Sequence, residues 1–153
     1  MGPKAISRWM AVLLLAVPIH AAMAEALAQA VVYKSPTCGC CASWVEHMRA
    51  NGFTVDVVEG DMEVVKQRFG VPAGLASCHT AVVGGYVVEG HVPATAVKRL
   101  LREKPDALGV SAPGMPIGSP GMAGPNPEPF SVQIFEEHGH ARVYESYRPP
   151  HRW

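Results

Sequence analysis

This chain has no excess of either charge: 13 Lys and Arg stand against 13 Asp and Glu in 153 residues, and charged residues make up only 17% of the total. That balance removes the electrostatic basis for holding nucleic-acid phosphates or an anionic membrane surface. No internal repeat is visible, and no segment beyond the N-terminus is apolar enough to cross a bilayer. The length suits one ordinary domain with a core, and is too short for two large ones. Cysteine is scarce but oddly placed. Of four, Cys38, Cys40 and Cys41 fall within four residues while Cys78 stands alone, a distribution closer to one chemical cluster than to dispersed cross-links.

The N-terminus has the grammar of export. Lys4 and Arg8 precede Trp9 to Ala24, a stretch without Asp, Glu, Lys or Arg that ends on Ala22-Met23-Ala24. A basic start, an apolar middle and an A-x-A end predict a secretory signal peptide over residues 1–24, with a second candidate cut after Ala28. The stretch is interrupted by Pro18 and falls short of the ~20 residues that a membrane span needs. Cleavage after Ala24 leaves 129 residues with 11 basic and 13 acidic side chains. The mature protein is expected to be soluble and exported, where thiols oxidise unless a metal or a reductase protects them.

Val31–Lys34 reads as a strand, and Ser35-Pro36-Thr37 turns the chain into a helix of about 13 residues ending near Asn51-Gly52. Cys41, Trp44, Val45 and Met48 recur at helical spacing and predict one buried stripe, with Cys38 at the helix start. Phe53–Val57 predicts a second strand. Asp61 is suited to cap a helix through Phe69, with Gly70 and Pro72 beyond it. Thr80–Val83 and Tyr86–Val88, joined by Gly84-Gly85, predict a hairpin. Pro93 suits the first turn of a last helix carrying Val97, Leu100 and Leu101. Residues 105–129 hold seven Pro and five Gly, and are expected to be an irregular crossing without helix or sheet. Phe130–Phe135 and Arg142–Ser146 then predict a C-terminal hairpin. The β-α-β-α-β-β-α order is that of a thioredoxin-like α/β fold, a mixed sheet flanked by helices, with the Pro/Gly/Met-rich crossing and the hairpin appended.

Cys38 and Cys41 form a C-x-x-C pair with a third thiol, Cys40, inserted. A helix N-terminus favours thiolate over thiol at the first cysteine, and thiolate both attacks disulfides and binds metal. Ser77-Cys78-His79 occupies the loop where a thioredoxin-like domain usually brings a cis-proline against the helix start, so a soft ligand stands in that place. The crossing adds Met115 and Met122. Thiolate with thioether is the ligand preference of Cu(I); on residue type alone the methionines read better as apolar pegs for a long loop, and only the thiol cluster makes the ligand reading competitive. His79 divides evenly between ligand and loop residue. His91, just before Pro93, reads as a surface or supporting residue, His47 as a solvated residue on the polar helix side, and His138 and His140 as a solvated turn. Two structural disulfides are the plain alternative for the four cysteines, but adjacent Cys40 and Cys41 cannot both pair comfortably with nearby partners.

Four separated stretches then converge on one resemblance: Val32 to Cys41, Val71 to Ala81, Val88 to Pro93, and Ala112 to Met122. Together, across residues 31–147, they resemble the CopG-type copper-resistance proteins, exported metal-binding proteins long catalogued as a domain of unknown function. The resemblance implies a thioredoxin-like fold, copper handling in the bacterial periplasm and copper-linked thiol redox activity. Carried over by position, Cys38, Cys40, Cys41 and Cys78 would be the metal-binding thiols, with His79, His91, Met115 and Met122 as contributors. Residues 148–153 lie outside it as a tail.

The function expected is therefore a periplasmic copper-binding protein that sequesters Cu(I) or passes it on, with copper ions and other periplasmic copper-handling proteins as its partners. Nucleic acid is not among them, nor is a membrane once the signal is cut. A second reading is an enzyme, a thiol-disulfide oxidoreductase with Cys38 as nucleophile and Cys41 as resolving thiol. A third is a zinc site of Cys38, Cys41, Cys78 and His79, which leaves Cys40 and the methionine loop unexplained.

Overall fold

The computed structural model describes residues 27–150; the expected signal segment, residues 1–24, and the last three residues of the tail lie outside them. Strand β1 (Leu27–Lys34) leads into helix α1 (Gly39–Ala50), strand β2 (Phe53–Glu59) and helix α2 (Met62–Arg68). A short 3-10 turn at Ala73–Leu75 precedes strands β3 (Thr80–Val83) and β4 (Tyr86–Gly90). Helix α3 (Ala94–Glu103), strand β5 (Gly109–Ala112), strand β6 (Phe130–Phe135) and strand β7 (Ala141–Tyr147) complete the chain. All seven strands form one mixed sheet in the order β2-β1-β3-β4-β5-β6-β7. Its first four strands, with α1, α2 and α3, reproduce the expected thioredoxin-like order.

Local chemistry explains the elements. Asp61 Oδ1 accepts from the Glu63 and Val64 backbone N–H groups and starts α2, satisfying donors that a helix end leaves open. Gly84 and Gly85 both have positive φ, 57° and 88°, as a tight two-residue turn between β3 and β4 requires. The α1 stripe is as expected, with Cys41, Trp44, Val45 and Met48 all buried. Strand alternation divides the core between the two faces of the sheet. Val88 and Ile134 join Trp44, Met48, Val97 and Leu100 on one face, while Val87 and Phe135 pack with Leu75 on the other. Complete burial of side chains such as Met48 and Leu100 contributes about 1.5–3 kcal/mol each.

Two expectations change. Strand β1 begins at Leu27 rather than Val31, because the alanine-rich residues 28–30 extend the ladder, with Ala30 paired to Val55 and Val83. The crossing over residues 105–129 is not wholly irregular. Gly109–Ala112 is a fully buried strand parallel to β4 and antiparallel to β6. It is a Pro-free run of four small residues whose pattern is submerged when composition is averaged over its surroundings. A Cβ on Gly109 would sit 2.0 Å from the Val87 carbonyl oxygen, so close strand approach accounts for glycine there. The remainder, 113–129, does cross without helix or sheet, pinned by hydrogen bonds such as Gly118 N–H to the Met122 carbonyl (2.7 Å) and Glu128 N–H to the Ile117 carbonyl (2.8 Å).

Candidate metal centre

The centre is built where α1 begins, β3 is about to begin and β4 has just ended. Cys38 is the N-cap of α1, and its Sγ accepts from Cys41 N–H at 3.3 Å. Cys38 and Cys41 are joined by a disulfide, with Cα atoms 5.3 Å apart, while Cys40 and Cys78 are free, half-buried thiols. Cys40 Sγ lies 3.5 Å from Cys38 Sγ and 3.8 Å from Cys78 Sγ. The four cysteines thus do gather, although Cys40 and Cys78 are 38 positions apart in the chain.

Cys78 also faces two imidazoles, His91 Nε2 at 3.0 Å and His79 Nδ1 at 3.5 Å. The Nδ1–H of His91 donates to the Pro120 carbonyl at 2.8 Å. That bond fixes the tautomer and leaves Nε2 as an acceptor toward the Cys78 thiol. Two donor groups result among the described residues, Cys38/Cys40/Cys41/Cys78 and Cys78/His79/His91, each with ligand atoms within 4.8 Å of one another. Cys78 belongs to both.

His91 is fully buried, which removes the surface half of its reading as a surface or supporting residue. The 113–122 loop covers it through Pro120 and Gly121, both of which lie against its Nδ1. His79 is also fully buried, with its ring 4.6 Å from Trp44 and 4.9 Å, edge-on, from His91. Its Nε2 has no hydrogen-bond partner among the described residues. Burial, the neighbouring His91 and Lys66 push the His79 pKa well below the ordinary value. Burial also lowers that of His91, partly offset by the Pro120 carbonyl. Both rings are therefore neutral at pH 7, the form that binds metal. Burial, with Cys40 second, pushes the Cys78 thiol up to about 11.

The crossing reaches the centre through its turn. A Cβ on Gly121 would come within 2.7 Å of the Cys40 carbonyl oxygen, 2.8 Å of Trp44 N and 3.3 Å of His91 Nδ1. The methionines stand on either side of this seat. Met115 is 55% exposed and Met122 is half-buried. His138 and His140 lie exposed at the β6–β7 tip, as expected. His47 does not fit its reading as a solvated residue. Its Nε2 accepts from Ala94 N–H at 3.0 Å and so caps α3.

One group escaped the sequence reading altogether. Glu89 is fully buried in β4, and its carboxylate accepts from Lys66 Nζ, Ser77 N–H and Thr80 Oγ1, each at 2.6 Å. The available signal was an acid inside the apolar run Val87-Val88-Glu89, which requires a buried partner.

The donor set is soft and compact. Thiols and neutral imidazoles without a carboxylate suit Cu(I) or zinc and disfavour oxygen-seeking ions. A family model described as "Protein of unknown function, DUF411" matches residues 75–122. No curated protein matches the chain. Among solved structures, one of the copper resistance protein CopG, Form 2, superposes with a TM-score of 0.75 at 44% identity, covering 80% of this chain and 99% of that one. Form 1 gives a TM-score of 0.74 at 44% identity, covering 79% and 98%.

Proposed function

This chain belongs to the CopG family of copper resistance proteins, and from that premise we propose that it is a periplasmic protein that binds Cu(I) and sequesters it or hands it on. The observation that carries the reading is Cys78, whose sulfur lies between the α1 thiols and the two buried imidazoles. Cys40, Cys78 and His91 would hold the ion, joined by Cys38 and Cys41 when reduced and by His79 through a short ring adjustment. Copper is the cargo here. The protein supplies thiolates, a pre-oriented imidazole and a shell that excludes hard ligands. Met115 and Met122 would add thioethers from the covering loop.

A second reading is favoured by the Cys38–Cys41 disulfide. A dithiol that cycles beside a copper site would make the protein a copper-linked thiol oxidoreductase, with Cys38 as attacking and Cys41 as resolving thiol.

The test is anaerobic titration of the reduced, mature protein with Cu(I) against a strong chelator, repeated on Cys38→Ser, Cys40→Ser and Cys78→Ser and with Zn(II) in parallel. We expect each substitution to weaken Cu(I), Cys78→Ser the most. Copper affinity indifferent to all three would sink the metal reading, and disulfide reductase activity that needs Cys38 and Cys41 but not Cys78 would promote the second. Cell fractionation, with the mass of the mature chain, tests export and the cut after Ala24 or Ala28.

A further inference from the structure

Two residues on either side of the Cys78–His79 pair are tied to the same buried acid. Ser77 donates its backbone N–H to Glu89 Oε1, and Thr80 donates its hydroxyl to Oε2, both at 2.6 Å. Lys66 reaches over from α2, donating to Glu89 Oε1 at 2.6 Å and to Thr80 Oγ1 at 3.2 Å. The side chains of Glu89 and Lys66 are 0% and 13% exposed. A buried ion pair is a poor way to gain stability, because desolvation offsets the Coulomb attraction and apolar residues of similar volume often do as well. Its use at this point needs another reason.

Position in the chain supplies one. Glu89 pairs with Thr80 in the β3–β4 ladder, and Gly90 N–H donates to the His79 carbonyl at 2.9 Å. Two residues after Glu89 comes His91, whose Nε2 meets Cys78 Sγ. The end of β4 therefore carries the acid that grips the segment bearing the thiol and, one residue past the strand, the metal-facing imidazole. Cys78 precedes the first paired residue of β3, so beyond the ladder the Ser77 end is held by Glu89 on one side and by the crossing on the other, through Ser77 Oγ to the Gly114 carbonyl and Gly114 N–H to the Ala76 carbonyl.

We infer that Glu89 is a positioning residue for the metal centre: its carboxylate, tied to Ser77 and Thr80 on both sides of Cys78–His79, holds Cys78 Sγ against His91 Nε2. Lys66, 2.6 Å from Oε1, is the cationic partner that accompanies the acid into the interior. The inference rests on reading Cys78 and His91 as paired ligands, and the experiment separates the two.

Two double variants decide it, each removing the charge pair. Lys66→Met/Glu89→Gln keeps an acceptor for Ser77 N–H and a partner for the Thr80 hydroxyl, whereas Lys66→Met/Glu89→Leu keeps neither. Cu(I) affinity is read by chelator competition on reduced protein. The alkylation rate of Cys78 is read by peptide mapping on metal-free protein with the Cys38–Cys41 disulfide intact. The Leu variant should lose about 10–100-fold in Cu(I) affinity, the size typical of removing a group that orients a ligand, and its Cys78 should alkylate several-fold faster. The Gln variant should match wild type in both. A folded Leu variant that matches wild type in both readouts overturns the inference. If wild type holds no Cu(I), the copper reading fails while the alkylation contrast still judges the positioning. Should the Leu variant not fold, Thr80→Val cuts one tie with little change of shape, and unchanged alkylation and affinity there would overturn the inference equally.

Discussion

Cys78 Sγ and His91 Nε2 lie 3.0 Å apart, and the other nitrogen of the same ring is held by the Pro120 carbonyl. A neutral thiol donates to a neutral imidazole in this arrangement, and a metal ion would replace that shared proton. Removing the ring should therefore cost metal affinity directly. His91→Gln is expected to weaken Cu(I) by at least about tenfold, using the lower bound seen when metal-site partners are removed. Chelator competition checks it, and an unchanged constant would exclude His91 from the ligand set.

Acidity gives a second prediction. Because burial and Cys40 raise the Cys78 thiol to about 11, the group is protonated at neutral pH and must lose its proton to bind metal. Affinity should rise with pH up to about 11 and fall as the solution is acidified. At pH 7, Cu(I) uptake should release about one more proton from wild type than from Cys78→Ser. Equal release from the two, measured in weak buffer, would show that Cys78 is not deprotonated by the ion.

Gly121 predicts a packing defect. With φ at 83° and the Cys40 carbonyl 2.7 Å from any added Cβ, Gly121→Ala must push the 113–122 loop off α1. Overpacking of this kind costs about 1–3 kcal/mol. Because the same loop carries Pro120, the variant should also lose order at His91. Chemical denaturation gives the stability, and a ring-nitrogen NMR spectrum gives the tautomer. A variant with full stability and an unmoved ring would refute the seat.

His47 sets a pH dependence away from the metal. Its pKa is lowered by burial first and by Lys98 second, and its neutral Nε2 accepts from Ala94 N–H. A group whose folded value lies below its unfolded value of about 6.5 contributes fully above that pH. That contribution is lost as pH falls through the lower, folded value. Wild type should thus lose stability below about pH 6.5 more steeply than His47→Gln, whose side chain does not titrate. Parallel denaturation slopes for the two proteins would contradict the cap.

The residues that sequence reasoning read well were those whose chemistry is local. The Asp61 cap, the Gly84-Gly85 turn and the Cys41-Trp44-Val45-Met48 stripe depend on neighbours within a turn or two, and each stands where its pattern placed it. The gathering of Cys78 with the α1 thiols followed from topology, since β3 lies beside β1 in the sheet. What escaped were pairings made across the sheet or through the crossing. For His91 the choice between surface and supporting residue stayed open because nothing near it in the chain covers it, and its cover arrives 29 residues later at Pro120. His47 and Ala94 are 47 residues apart. Glu89 needed Lys66 on another element. Strand β5 was concealed by the prolines and glycines around it, not by its own four residues.

The cluster draws on α1, the lead into β3, the exit of β4 and the far side of the crossing. No fragment of the chain holds these parts together: an extended polypeptide keeps the three neighbouring thiols Cys38, Cys40 and Cys41 but brings neither Cys78 nor His91 to them. An ion that takes Cys78 and His91 together with those thiols then binds the native state more tightly than the extended chain. By mass action it shifts the folding equilibrium, by at most about 2.7 kcal/mol when free metal reaches a hundred times its dissociation constant, and by less to the extent that the three neighbouring thiols bind metal in the unfolded chain. Metal concentration thereby becomes a variable in the stability of the protein, which should be higher with the ion than without it.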